Sequence, residues 1–318
     1  MNRKNKNGLY LIILLILAGI YVLLKYGINV SPDKNFDMSV LSIDTGKVAS
    51  IKIKNPKDDN SLELKKESGI WYVLQGDKKE KADSNAITSI LKVLADIKIQ
   101  NVVGRTKDKW NDLQLTDSIA TRVSIFNADN QIIKDIFIGK FTYRQRANFS
   151  GYGGVSGLTY VRLSDMPESF IVNGFLPMSF NRDFNSFRNS TIVALQKDAV
   201  NKIEFNYPAD TSFVLAKADS ALWKINSVDT ADFNKVNHYL STMTMFRDMH
   251  FDDTFKPVND AVFTLKFYGK KMQPITVWVY QKDSVNFAVG STQTSAYFTS
   301  NRKGMLSRLL KTKQDFVK

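Results

Sequence analysis

The segment Lys81-Ala82-Asp83-Ser84-Asn85 returns without a gap as Thr230-Ala231-Asp232-Phe233-Asn234, and each copy follows a short apolar stretch built around a tryptophan, Trp71 or Trp223. Downstream, Ile87, Ile90, Leu91, Leu94 and Ile97 fall at helical spacing in the first copy. Val236, Tyr239, Leu240, Met243 and Phe246 occupy the same intervals in the second. A helix carries residues three and four apart on one face, and an aspartate ahead of its first turn can accept the amide hydrogens left unpaired there. Two helices with one apolar face and one start signal, Asp83 or Asp232, therefore mark the chain as a tandem repeat.

Outward from each helix the pattern changes to alternation. Before the first lie Val48 to Ile53, Leu62 with Leu64, and Ile70 to Leu74, separated by Pro-Lys-Asp-Asp-Asn and Ser68-Gly69 turns. After it come Val123 with Ile125, a turn at Ala128-Asp129-Asn130, a strand from Ile133 to Ile138 ending at Gly139, the pair Thr159 to Leu163 and Ser169 to Val172, and a helical stretch near Met178 to Phe187. The second half keeps the order: Val200 to Phe205, Phe213 to Leu215, Leu222 to Ile225, the helix from Asp232, strands at Val262 to Phe267, Ile275 to Tyr280, Asn286 to Val289 and Ala296 to Thr299, then a terminal helix carrying Met305, Leu306, Leu309 and Leu310. Hairpin-like groups of strands separated by single helices predict an α+β fold of mostly antiparallel sheet, two helices in each of two similar domains, rather than a doubly wound parallel sheet. The expected boundaries are 1–25 for a cytoplasmic tail and transmembrane anchor, 26–46 for a tether rich in turn formers, 47–190 for the first domain and 191–318 for the second.

Gly8 to Leu24 carries no charge, and a helix of that length rises about 25 Å, the short end of a membrane span. Arg3, Lys4 and Lys6 precede it and only Lys25 follows closely, a bias that keeps the N-terminus inside and sends the rest out. A cleaved secretory signal is the competing reading. Lys25-Tyr26-Gly27-Ile28-Asn29 offers no small-x-small cleavage site, which favours an uncleaved anchor. The lipid bilayer is then the partner of residues 8–24, and the folded part lies in the periplasm or outside the cell, on a bacterial cytoplasmic membrane.

The net charge of +13 is spread over short clusters such as Lys65-Lys66 and Lys270-Lys271. It reads as a solvated surface near anionic headgroups and not as a nucleic-acid footprint. The absence of cysteine excludes disulfides, thiolate metal sites and a cysteine nucleophile. His238 and His250 are twelve residues apart and make no helical metal pair. Gly154-Val155-Ser156-Gly157-Leu158 lacks the last glycine of a nucleophile elbow. Carboxylate pairs at Asp58-Asp59, Asp129 with Asp135, and Asp252-Asp253 sit at predicted turns without calcium-loop spacing. No cofactor, metal site or catalytic residue is read from the chain.

At the junction between halves, Phe187-Arg188-Asn189-Ser190-Thr191-Ile192 is followed by Val200-Asn201-Lys202-Ile203-Glu204-Phe205. With Trp71 ahead of Ala82-Asp83, Ile138-Gly139, Tyr160-Val161-Arg162 and an anchor preceded by lysines, this order resembles the bacterial domain-of-unknown-function family numbered 4340. Members often carry Tyr-Gly-Leu where this chain has Leu113-Gln114-Leu115. The resemblance implies an envelope protein of unassigned activity, associated with transporter genes of the gliding-motility ABC type. It carries over no catalytic residues.

The glycine-dense stretch Gly151-Tyr152-Gly153-Gly154 lacks the Lys-Ser/Thr of a phosphate loop and precedes a strand, so it reads as a hairpin loop. Around it Tyr143, Arg144, Arg146 and Tyr152 combine aromatic faces with planar donors suited to an acidic or sugar-like partner. With Arg162 they form the expected binding set. Phe180, Phe184 and Phe187 are expected to pack at the domain junction. The functional expectation is a membrane-anchored binding or scaffold protein with a membrane-protein partner and an unassigned ligand, not an enzyme. An envelope hydrolase acting on polysaccharide or peptide, and a receptor binding a ligand between the two domains, are the alternatives.

Overall fold

The computed structural model describes Leu14 and residues 37–58, 60–145, 155–220 and 222–317. Apart from Leu14, the apolar segment 8–24 lies outside the described residues, as does the glycine-dense stretch 151–154. Among the described residues no helix is long and apolar enough to cross a membrane.

The first half runs β1 (Ser50–Lys54), β2 (Leu62–Glu67), β3 (Ile70–Gln75), β4 (Lys78–Lys81), α1 (Ser84–Ala95), β5 (Ile99–Gly104), β6 (Thr121–Phe126), β7 (Ile132–Gln145), β8 (Val155–Leu163), β9 (Ser169–Asn173) and α2 (Leu176–Phe180). The second runs β10 (Thr191–Val193), β11 (Val200–Asn206), β12 (Phe213–Lys217), β13 (Trp223–Ile225), β14 (Asp229–Ala231), α3 (Phe233–Met243), β15 (Phe246–Arg247), β16 (Phe263–Gly269), β17 (Ile275–Gln281), β18 (Asn286–Ser291), β19 (Thr294–Asn301) and α4 (Met305–Leu309). The ladders are antiparallel, as in β1 with β6, β7 with β8 and β16 with β17, so the fold is α+β with two sheet-rich domains. The pairing strings β4-β3-β2 and β1-β6-β7-β8-β9 return as β14-β13-β12 and β11-β16-β17-β18-β19. The repeat seen around the two tryptophans thus extends to strand order.

The chain forms two compact units, one taking residues up to Ser61 with Ile90–Asn181, the other Leu62–Ser89 with Arg182–Lys318. In the second, Phe205 stacks on Phe213 with centroids 4.3 Å apart, Trp223 is buried, and the Tyr239 hydroxyl donates to Leu309 O at 2.8 Å. Trp71 is only half-buried, whereas Val73 on the same strand is buried.

Both helices start as their sequences require. Asp83 Oδ1 accepts from Ala86 N at 2.9 Å, and Asp232 Oδ1 accepts from Asn234 N at 2.8 Å and Lys235 N at 3.2 Å. The aspartate backbone is fixed as well. Asp83 N donates to Phe187 O at 2.8 Å and Asp232 N to Phe316 O at 2.7 Å, each acceptor closing a 3₁₀ turn, Asn185–Phe187 or Lys313–Phe316. On α1, Ile87, Ile90 and Leu94 are buried, and on α3 Val236, Tyr239, Leu240 and Met243.

Two expected elements differ. The strand from Ile133 does not end at Gly139 but runs to Gln145, because Gly139 occupies a bulge and not a terminus: the β7–β8 register shifts between Ile138 and Phe141. A side chain on Gly139 would place its Cβ 2.3 Å from Leu113 O. The stretch Met178 to Phe187 is not one helix. Asn181 N closes α2 on Pro177 O at 2.8 Å, and the Asn181 side chain accepts from Thr121 Oγ1 at 2.7 Å, so tertiary bonding stops the helix after one turn. Phe180, Phe184 and Phe187 are nonetheless all buried.

The junction arginine is a fastening inside the second unit. Arg188 is 3% exposed. Its Nη1 donates to Asp253 Oδ1 at 2.7 Å and to Asn185 Oδ1 at 3.2 Å, Nη2 lies 3.3 Å from Glu80 Oε1, and the guanidinium lies 4.0 Å from the Phe251 ring centroid. Next to it, Asn189 N donates to Lys81 O at 2.8 Å.

Replacing Asp232 by Ala, which strands two amide donors at a largely solvent-facing cap, is expected to cost about 1 kcal/mol in denaturant unfolding. Arg188→Met is expected to cost about 1–3 kcal/mol in the same experiment, the size associated with losing hydrogen bonds to charged groups, because Asp253 and Glu80 stay in contact with water when the guanidinium is removed.

Candidate interaction surface

Beyond the Gly139 bulge the β7–β8 hairpin leaves the core. Residues Asp135 to Ile138 are buried, whereas Phe141 is 46% and Tyr143 67% exposed. Alternate residues of a strand share a face, and directly paired residues share it across the ladder. Phe141 pairs with Thr159, Tyr143 with Gly157 and Gln145 with Val155, so Phe141, Tyr143 and the 42% exposed Val155 form one apolar face.

Gly157 makes room beneath that face. A Cβ there would lie 2.5 Å from the Phe175 ring, and Phe175 meets Phe141 edge to face at 5.6 Å and 82°. Helix α2 packs on β7 and leaves Met178 64% exposed. Phe141, Tyr143, Val155 and Met178 are thus large apolar side chains in water on adjoining elements of one unit, the composition that marks contact sites on protein surfaces.

Of the expected binding residues, Tyr143 is on this face, and Arg144 is exposed on the same strand with its carbonyl accepting from Ser156 Oγ at 3.4 Å. Arg146 and Tyr152 lie outside the described residues. Arg162 is not on the hairpin face: it is 2% exposed, its guanidinium carbon 3.9 Å from the Trp110 ring centroid and 3.6 Å from that of Phe137. Arg162 Nε donates to Leu115 O at 2.7 Å, and Nη2 pairs with Asp117. Burial lowers its affinity for the proton, and Asp117 works in the opposite direction. The side chain staples the 110–117 loop to the sheet. Phe141, Val155 and Met178 were missing from the expected set; the period-two spacing of Phe141 and Tyr143 was the signal for the first, hidden by ending the strand at Gly139.

The other polar candidates are held locally. Asp135 accepts from Arg122 Nε at 3.0 Å and Ser124 Oγ at 2.8 Å. Burial raises its pKa, but these bonds outweigh that and leave it lowered. Asp252 accepts from Thr254, Thr299 and Lys282, and Asp253 pairs with Arg188. Asp58 accepts from Asn55 Nδ2 at 3.2 Å; Asp59 lies outside the described residues. His250 Nδ1 is 2.7 Å from Asp248 Oδ1 and stands in solvent, and His238 is exposed on α3. Among the described residues no group of three or more His, Asp or Glu could hold a metal ion.

No functionally curated protein and no solved structure matches the chain. The model of one family, described as Domain of unknown function (DUF4340), matches residues 19–117 and 71–266, two overlapping stretches that between them take in both tryptophan strands and both capped helices. The chain belongs to the DUF4340 family.

Proposed function

We propose that the chain is a membrane-anchored binding or scaffold protein, held in the bacterial cytoplasmic membrane by residues 8–24 with its folded part outside. It serves as an accessory subunit of a membrane complex, and what the family resemblance implies favours an ABC-type transporter of the gliding-motility kind. The observation that carries the reading is the solvent-facing cluster of Phe141, Tyr143, Val155 and Met178, whose exposure costs free energy that a partner's surface would recover, about 25 cal/mol per Å² of apolar area covered. The charge bias around residues 8–24 supports the orientation. Asp135, Asp252 and Asp253 are each engaged by neighbouring side chains, which favours binding over acid–base chemistry.

Two experiments test the two halves of this reading. Because the chain has no cysteine, Tyr143→Cys supplies a single thiol; a membrane-impermeant maleimide is expected to label it from outside intact cells and to leave Asn5→Cys unlabelled. The opposite pattern overturns the orientation. The double change Phe141→Ser with Tyr143→Ala is expected to reduce co-purification of membrane partners in mild detergent at least fivefold, with the melting temperature nearly unchanged. Full retention of the partners removes the hairpin face from the interface.

A further inference from the structure

A second feature, in the other unit, is independent of the hairpin. Between β11–β12, β16 and α4 lies a groove of about 610 Å³, inside the roughly 300–1,000 Å³ range of small-molecule sites. Phe263, Phe287, Leu306 and Leu310 supply its apolar wall, and Arg302, Lys311 and Lys313 stand along it. Asp210 is the one carboxylate of the lining.

The polar groups are arranged for an anion. Arg302 and Lys313 are exposed and have no carboxylate partner among the described residues. The Arg302 guanidinium lies 5.8 Å from the Phe287 ring centroid, at the border between the apolar wall and the charged edge. Tyr207 lines the same groove, and its hydroxyl oxygen accepts from Lys311 N at 3.0 Å. The Tyr207 hydroxyl hydrogen has no acceptor among the described residues; a phenol is a neutral donor at physiological pH, and burial raises this one's pKa further. The lining thus offers a carboxylate two cations without a carboxylate partner among the described residues and an O–H donor, and offers an attached hydrocarbon the side chains of Phe263 and Leu310. A nonionic sugar would leave the cations without a counter-charge, and a purely apolar ligand would bury them at a penalty.

We propose that this groove binds a free fatty acid, its carboxylate held by Arg302, Lys313 and the Tyr207 hydroxyl and its acyl chain lying against Phe263 and Leu310. Charge complementarity and the continuous step from apolar wall to cationic edge select this class over an acidic peptide, which would not fill the apolar wall with one unbranched chain.

The test uses the full chain in lipid nanodiscs, with empty nanodiscs subtracted, and equilibrium dialysis of radiolabelled decanoate. Saturable binding is expected, with decanol at least tenfold weaker. Arg302→Glu and Lys313→Glu alter exposed side chains and are each expected to weaken decanoate at least fivefold without changing the melting temperature. Tyr207→Phe is expected to weaken it less and to narrow the preference over decanol. The proposal is overturned if decanoate does not saturate, if decanol binds equally, if neither charge reversal matters, or if an acidic peptide binds the groove more tightly than decanoate. Retained co-purification of partners by the charge-reversed chains separates failure of this site from failure of the hairpin surface.

Discussion

An aspartate ahead of a helix does two things at once here. Its side chain accepts the amide hydrogens that the first turn cannot pair internally, and its own amide donates to the carbonyl of a phenylalanine more than eighty residues further along. The first interaction is local and can be read from five residues. The second closes a long loop, and it does so twice, at Asp83 with Phe187 and at Asp232 with Phe316. An unpaired amide at a helix start is costly when buried, so a 3₁₀ turn ending in a suitably placed carbonyl is fixed against each helix.

Buried arginine has a similar logic in the two units. Arg162 and Arg188 each lie within 4.0 Å of aromatic ring centroids; Arg162 donates to Leu115 O and pairs with Asp117, and Arg188 donates to Asn185 and Asp253 through Nη1 while its Nε has no partner among the described residues. Guanidinium is planar and weakly hydrated, so it tolerates such a place where an ammonium would not. In both cases the carboxylate partner retains contact with solvent, which reduces the desolvation cost of the pair. These arginines fasten a loop and a junction. Arg302 and Lys313, along the groove edge, have no carboxylate partner among the described residues.

The glycines at 139 and 157 connect fold to surface. One permits the bulge that carries β7 out of the core against the Leu113 carbonyl, and the other leaves space for the Phe175 ring. Together they turn the end of a hairpin into an apolar face.

Local chemistry was sufficient to determine the repeat, the two capped helices, most strands and the α+β class. Each depends on periodicity or on a cap within a few residues, and these forces act along the chain. Gly139 shows where that reasoning stops, since a glycine at a strand's end and a glycine in a bulge have the same sequence and differ only in whether Leu113 comes back to meet it. Likewise Phe180, Phe184 and Phe187 have helical spacing, but a hydrogen bond from Thr121 to Asn181 ends the helix early. Arg162 looks like a binding residue by type and is a buried staple by position. The groove at Tyr207, Arg302 and Lys313 left no trace in any single motif, because its residues come from segments about a hundred positions apart. Burial and ligand geometry are properties of which segments meet, and only the tertiary structure decides that.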